Sequence, residues 1–220
     1  MVKSPQEVPP DALLFIAPGC PHCPTVFQAL GELVKTGLIG RLEVVNAGAH
    51  PETARTLGVR SVPWLRLGPF ELEGLRSLAE LKRWAQRADM PEGMADYFRE
   101  LLETGELKKV IELVSQDDAR LDALLLLLAD AETELAVRVG IGAVMEEFQG
   151  RDALKRLVDG LGQLTHSPDA HVRGDASHYL ALTGSPLAIP YLRPLLADPE
   201  RQVREIVQES LETLAQAAGA

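Results

Sequence analysis

Two stretches in the second half of the sequence repeat each other. SPDAHVRGDASHYL (Ser167 to Leu180) and DPERQVREIVQESL (Asp198 to Leu211) share Ser or Asp, then Pro, then Asp or Glu, with Val-Arg after two further residues. A weaker copy, DAETELAVRVGIGA, begins at Asp130 and aligns Leu135 with Val172 and Val203, giving spacings of 37 and 31 residues, with Ala136 where the other copies carry arginine. A unit of this length is one pair of helices that cannot bury its apolar side alone, so repetition commits the chain to a stack. Ser167 and Asp198 are expected to cap a helix start, the next proline to take the first helical position, and Asp169 and Glu200 to complement the positive helix end. Val172 and Val203 then face the packing partner, while Arg173 and Arg204 reach for an acid in a neighbouring turn. Building and stacking helices explains all of these features without any chemistry.

Helical segments run through this half from Ala95 to Thr104, Glu106 to Ser115 and Arg120 to Ala129, with no strand-like alternation between them. Pro194 is expected to remove one hydrogen bond from its helix and bend it. His166, His171 and His178 lie close in sequence, but without a carboxylate or cysteine fixed by the same spacing they read as surface residues, not metal ligands.

The first half alternates strands and helices. Ala12 to Ala17 is a buried strand run, and a helical pattern from Pro24 through Lys35 puts Val26, Phe27, Leu30, Leu33 and Val34 on its apolar side. A second strand covers Arg41 to Ala47, a short helix starts after His50, and Trp64 to Leu67, Gly68-Pro69 and Phe70 to Glu73 form a hairpin. A last helix, Ser77 to Arg87, offers Leu78, Leu81 and Trp84 to one side. Pro91 and Gly93 mark the join, so the expected domains are 1–89, α/β, and 90–220, all-α.

Charge divides the same way. Met1 to Asp89 has ten basic and nine acidic residues, whereas the remainder has twelve and twenty-three. Such an acidic second half repels phosphate backbones, which argues against nucleic acid as its partner. The opening MVKSPQEVPPDA is polar, the run ALLFIA is too short for a secretory core, and acids interrupt LDALLLLLADA, so neither export nor membrane insertion is expected. The expected location is a reducing cytoplasm, where two cysteines two residues apart argue for catalysis or metal binding.

Both cysteines lie in APGCPHCPTV, Ala17 to Val26. As a staple the pair is badly placed, because a four-residue ring restricts the unfolded chain by only about 2 kcal/mol. A zinc site would require Cys20, Cys23, His22 and His50 to converge. Position favours redox chemistry: the turn follows a strand and opens a helix, whose free N–H groups and dipole stabilise a thiolate at Cys20. Pro21 suits the first helical position, protonated His22 adds a positive charge, and Cys23, further in, is the resolving thiol.

With strand, CPHC, helix and, forty residues after Cys23, SVPW, the stretch from Leu13 to Ala88 resembles the thioredoxin/glutaredoxin-like fold. CPHCPTVFQAL resembles the glutaredoxin-like protein disulfide oxidoreductases and the N-terminal domain of alkyl hydroperoxide reductase flavoproteins more than ordinary thioredoxin. The resemblance implies that Cys20 attacks a substrate disulfide, that Cys23 releases the product, and that Pro63, in the cis state, lies beside Cys20. It also implies that the Val62 backbone pairs with an extended substrate and that Pro21 borders it; Trp64, next to the proline, either packs into the core or contacts the substrate. No cofactor is implied, although a cluster shared between subunits, as some glutaredoxin relatives hold, is the alternative. Gly19 and Leu14 depart from thioredoxins, which place a tryptophan and a buried aspartate there. The second half, Asp118 to Ala215, resembles HEAT-like repeats, which implies a protein partner. The expected function is a thiol-disulfide oxidoreductase whose repeats dock a protein partner or substrate, against an adaptor without turnover.

Overall fold

The apolar run after Pro10 becomes an interior strand. β1 (Asp11–Ile16) lies within a four-stranded sheet of order β2-β1-β3-β4 in the computed structural model, which describes residues 8–218. β2 (Arg41–Asn46) pairs with β1 in parallel, Leu14 opposite Val44, and a parallel pair needs a crossover, supplied by α1 (Cys23–Lys35). β3 (Trp64–Leu67) runs antiparallel to β1 with Phe15 opposite Trp64, and the expected hairpin carries the chain into β4 (Phe70–Glu73).

Helices cover this sheet with their apolar faces. α1 buries Val26, Ala29, Leu30 and Leu33 and packs against α3 (Leu78–Gln86). Phe27 was expected on that side but is 49% exposed, because a 100° step from Val26 turns it toward solvent. Leu78 likewise stays outside while Leu81 and Trp84 are buried. Ser77 starts α3 with a capping box: its hydroxyl accepts from the Glu80 N–H, and the Glu80 carboxylate accepts from the Ser77 N–H. The Ser77 hydroxyl, donating to Glu80 Oε2 at 2.6 Å, and then the Ser77 N–H hold the Glu80 carboxyl below its ordinary range. Across the sheet, α2 (Pro51–Thr56) brings Ala54 to a cluster with Phe15 and Trp64.

The chain divides into two compact units, the break falling between Met94 and Ala95, inside α4 (Pro91–Glu103). Pro91 and Gly93 are thus helical residues rather than a linker. Gly93 passes the Arg87 carbonyl so closely that a Cβ there would collide with it.

In the second unit α5 (Leu107–Gln116), α6 (Leu121–Ala129), α7 (Leu135–Glu147), α8 (Asp152–Lys155) and α9 (Val158–Leu164) precede α10 (Ala170–Leu182), which packs against both α9 and α12 (Arg201–Ala218). Between them α11 (Ile189–Leu192) gives way to a 3₁₀ segment, Arg193–Ala197, at Pro194, as the missing donor requires. Among the described residues no helix is long and apolar enough to cross a membrane.

The repeated residues do different work from that expected. Asp169, not Ser167, caps α10, its Oδ1 accepting from the Val172 N–H at 3.0 Å. Ser167 Oγ instead accepts from Asp169 N at 3.2 Å, and Asp198 Oδ1 from Glu200 N at 2.9 Å, so Pro168 and Pro199 sit in the turn ahead of each helix. Arg173 grips the Asp198 carboxylate through Nε at 2.7 Å and Nη2 at 2.9 Å, while Nη1 donates to the Ser167 and Pro168 carbonyls. Arg204 Nη1 donates to the corresponding carbonyls of Asp198 and Pro199.

The first copy is shifted by two residues. Val137, fully buried, takes the place expected for Leu135, which is 77% exposed. Arg138 then follows it as Arg173 follows Val172, and the supposed replacement by Ala136 disappears. A longer turn accounts for the shift: Asp130 Oδ1 accepts from Glu132 N, and the Thr133 hydroxyl donates to the Leu127 carbonyl. Arg138 Nη2 reaches Asp175 of α10 at 2.6 Å.

Candidate active site

The turn between β1 and α1 holds the cysteines. Cys20 N donates to the Ala17 carbonyl at 3.3 Å, and the turn is possible because Gly19 takes φ +79°, a conformation that side chains disfavour. Cys20 and Cys23 are joined as a disulfide with Cα atoms 5.5 Å apart. Their surroundings differ. Cys20 is half-buried, whereas Cys23 is 4% exposed.

The helix begins at Cys23 with His22 in the capping position, so Pro21 lies outside it, in the exposed bend, and not at the first helical position. Pro24 falls in the first turn, where no intrahelical donor is lost. The His22 side chain makes no capping hydrogen bond. The sulfur of Cys20 takes that role: the Cys23 N–H, one of the donors a helix start leaves free, points at Cys20 Sγ from 3.1 Å. His22 is exposed between the two cysteines.

The start of β3 comes up against the same sulfur. Val62 O lies 3.6 Å from Cys20 Sγ, a contact rather than a hydrogen bond, since a disulfide sulfur carries no proton. The Val62-Pro63 peptide is cis, Pro63 is buried, and its carbonyl accepts from Gly74 N at 2.9 Å. Ser61 Oγ donates to Glu73 Oε2 at 2.9 Å, which ties the approach to Val62 to the end of β4. These supports were not anticipated; only the hairpin register, which sets Trp64 opposite Glu73, hinted at them.

Trp64 does not border the site. It is 2% exposed, its ring edge-on to Phe15 at 5.7 Å, because the strand turns it into the core. His50 occupies the capping position of α2, and among the described residues no three His, Cys, Asp or Glu side chains group as metal ligands. Beneath the turn Leu14 is fully buried, and no ionisable side chain of the first unit other than Cys23 is buried among the described residues.

Residues 13–86 match the family model described as a thioredoxin domain, and residues 121–212 the model described as HEAT repeats. No curated protein matches the chain.

Proposed function

Because the chain joins a thioredoxin-like domain to HEAT-like repeats, we propose that it is a thiol-disulfide oxidoreductase of the glutaredoxin-like type whose repeats dock a protein partner or substrate. One observation carries this reading: the half-buried sulfur of Cys20 receives a helix-end N–H, while its partner Cys23 is buried. Such a donor favours the negative charge of a thiolate over a neutral thiol.

In the reduced protein the Cys20 thiolate attacks one sulfur of a substrate disulfide. The substrate S–S bond breaks, a mixed disulfide forms, and the departing sulfur takes the electron pair and a proton from water. Cys23, deprotonated, then attacks Cys20 Sγ, re-forming the internal disulfide and releasing the second substrate thiolate. The substrate gains two electrons that the chain loses; an external thiol restores the dithiol, and the reverse sequence inserts disulfides. Pro63 and Val62 flank Cys20, and the Val62 main chain offers an extended substrate segment a strand-like partner. Exposed His22 and Pro21 border the approach. Trp64, buried, has no part in it.

Reduction of insulin by a thiol-driven cycle tests the reading. Turnover by the native chain that Cys20→Ser abolishes is expected. Absence of exchange with any protein or small disulfide would leave an adaptor without turnover.

A further inference from the structure

One helix of the second unit is apolar on both sides. Val137, Ile141, Val144 and Met145 of α7 are fully buried, yet the opposite row begins with Leu135 and Val139, 77% and 65% exposed. Gly142 continues this row and Glu146 ends it. A surface helix ordinarily turns polar residues outward.

Negative charge gathers where the row begins. Arg99 Nη2 donates to Asp130 Oδ2 at 3.0 Å, and its Nη1 lies 3.6 Å from Glu134 Oε2. Glu103, one turn beyond Arg99 on α4, lies near Glu134. Two carboxylates therefore share one guanidinium, with that of Glu103 nearby. Burial and the nearby Glu134 push the Glu103 carboxyl up. Glu134 immediately precedes Leu135.

We propose that the Leu135–Val139 face of α7, with Glu103 and Glu134, docks a protein segment carrying a Lys or Arg about one helical turn from large apolar side chains. This deepens the docking half of the proposed function and rests on it alone, not on chemistry at Cys20. The cation faces the neighbouring Glu103 and Glu134 carboxylates, while the apolar side chains cover Leu135 and Val139. A Cβ at Gly142 would sit 3.3 Å from Tyr179 Oη, so Tyr179 of α10 borders the row there and the exposed apolar part of the face is Leu135 and Val139. A second copy is a poor occupant, because a two-fold contact through α7 sets the acidic start of one row against Glu146 of the other.

Panning a random 16-residue phage library on the full chain, then measuring selected synthetic peptides by fluorescence anisotropy, tests this. Expected are peptides that combine Lys or Arg with two large apolar residues at helical spacing and bind more weakly as salt rises. Affinity should fall at least ten-fold in Leu135→Ser/Val139→Ser, and also in Glu103→Gln/Glu134→Gln, which leaves the apolar row intact should the first variant fold poorly. No enrichment, peptides lacking a cation, or equal affinity for the Glu103→Gln/Glu134→Gln variant overturns the proposal. So does concentration-dependent dimerisation lost in the serine variant, or equal binding to anionic vesicles. Performed on Cys20→Ser, the measurement is indifferent to whether the dithiol turns over, so failure of either reading is separately visible.

Discussion

The two sulfurs of the reduced centre would meet unequal surroundings. Cys20 is half-buried and faces the Cys23 N–H, whereas Cys23 lies within apolar packing, where a thiolate is disfavoured. Mass mapping after brief iodoacetamide treatment at pH 7 should find Cys20 alkylated at least about ten-fold faster than Cys23; equal rates would remove the basis for a nucleophile and a resolver. With no buried carboxylate beside Cys23 to take its proton, release of the mixed disulfide should accelerate as pH rises from 7 to 9. Stopped-flow release of a Cys20-linked chromogenic thiol measures that slope, and a flat profile would point to an internal base. This inequality was legible in the sequence, since a turn between a strand and a helix exposes its first cysteine and buries the one on the helix's inner face. Pro21 was not legible, because its position depends on where the first helical hydrogen bond forms, from Val26 N to the His22 carbonyl; for Trp64 the side of β3 that faces the core decides for packing over substrate contact.

Between elements of the helical unit, Arg173 and Asp198 form the most buried ion pair, their side chains 11% and 2% exposed. Removing one partner strands a charge that the fold withholds from water, so Asp198→Ala should destabilise this unit by about 3 kcal/mol. Urea unfolding followed by far-ultraviolet ellipticity checks that figure. Arg173's hydrogen bonds, ahead of the bond from Glu200 N and the nearby charges, hold the Asp198 carboxyl below its ordinary range. A carboxyl lowered in the folded state adds its full stability above its unfolded pKa of about 3.9, and loses it as pH falls through the folded value. Acid should therefore weaken the native unit below about pH 4, and Asp198→Asn should flatten that part of the curve. The sequence did pair Arg173 with an acid of a neighbouring turn, and it placed the break at Pro194; Arg204, expected to do the same, holds main-chain carbonyls instead. It missed the caps, because Ser167 and Asp198 are as fit to start a turn as to start a helix. It misaligned the first repeat because Leu135 and Val137 are equally apolar, and only the longer turn held by Asp130 and Thr133 decides which one points inward.

At the scale of the whole chain, both tryptophans, Trp64 and Trp84, belong to the first unit, while α5 to α12 belong to the second. Periodicity and charge change near residue 90, and Pro91 reads alike as a linker and as a helix opener; in the structure it opens α4, and the break between the two units falls inside that helix. Tryptophan fluorescence therefore follows the thioredoxin-like unit, and ellipticity follows mainly the repeats. Breaking a four-residue ring returns about 2 kcal/mol of freedom to the unfolded chain, and the helix-end stabilisation of a Cys20 thiolate offsets part of it. Reduction should thus leave the chain folded and lower the fluorescence-detected stability by less than about 2 kcal/mol, with the ellipticity midpoint unmoved. Asp198→Ala should do the converse, shifting ellipticity and sparing fluorescence. If either perturbation moves both signals together, the chain unfolds as one cooperative block, and the separation of a redox unit from a docking unit fails.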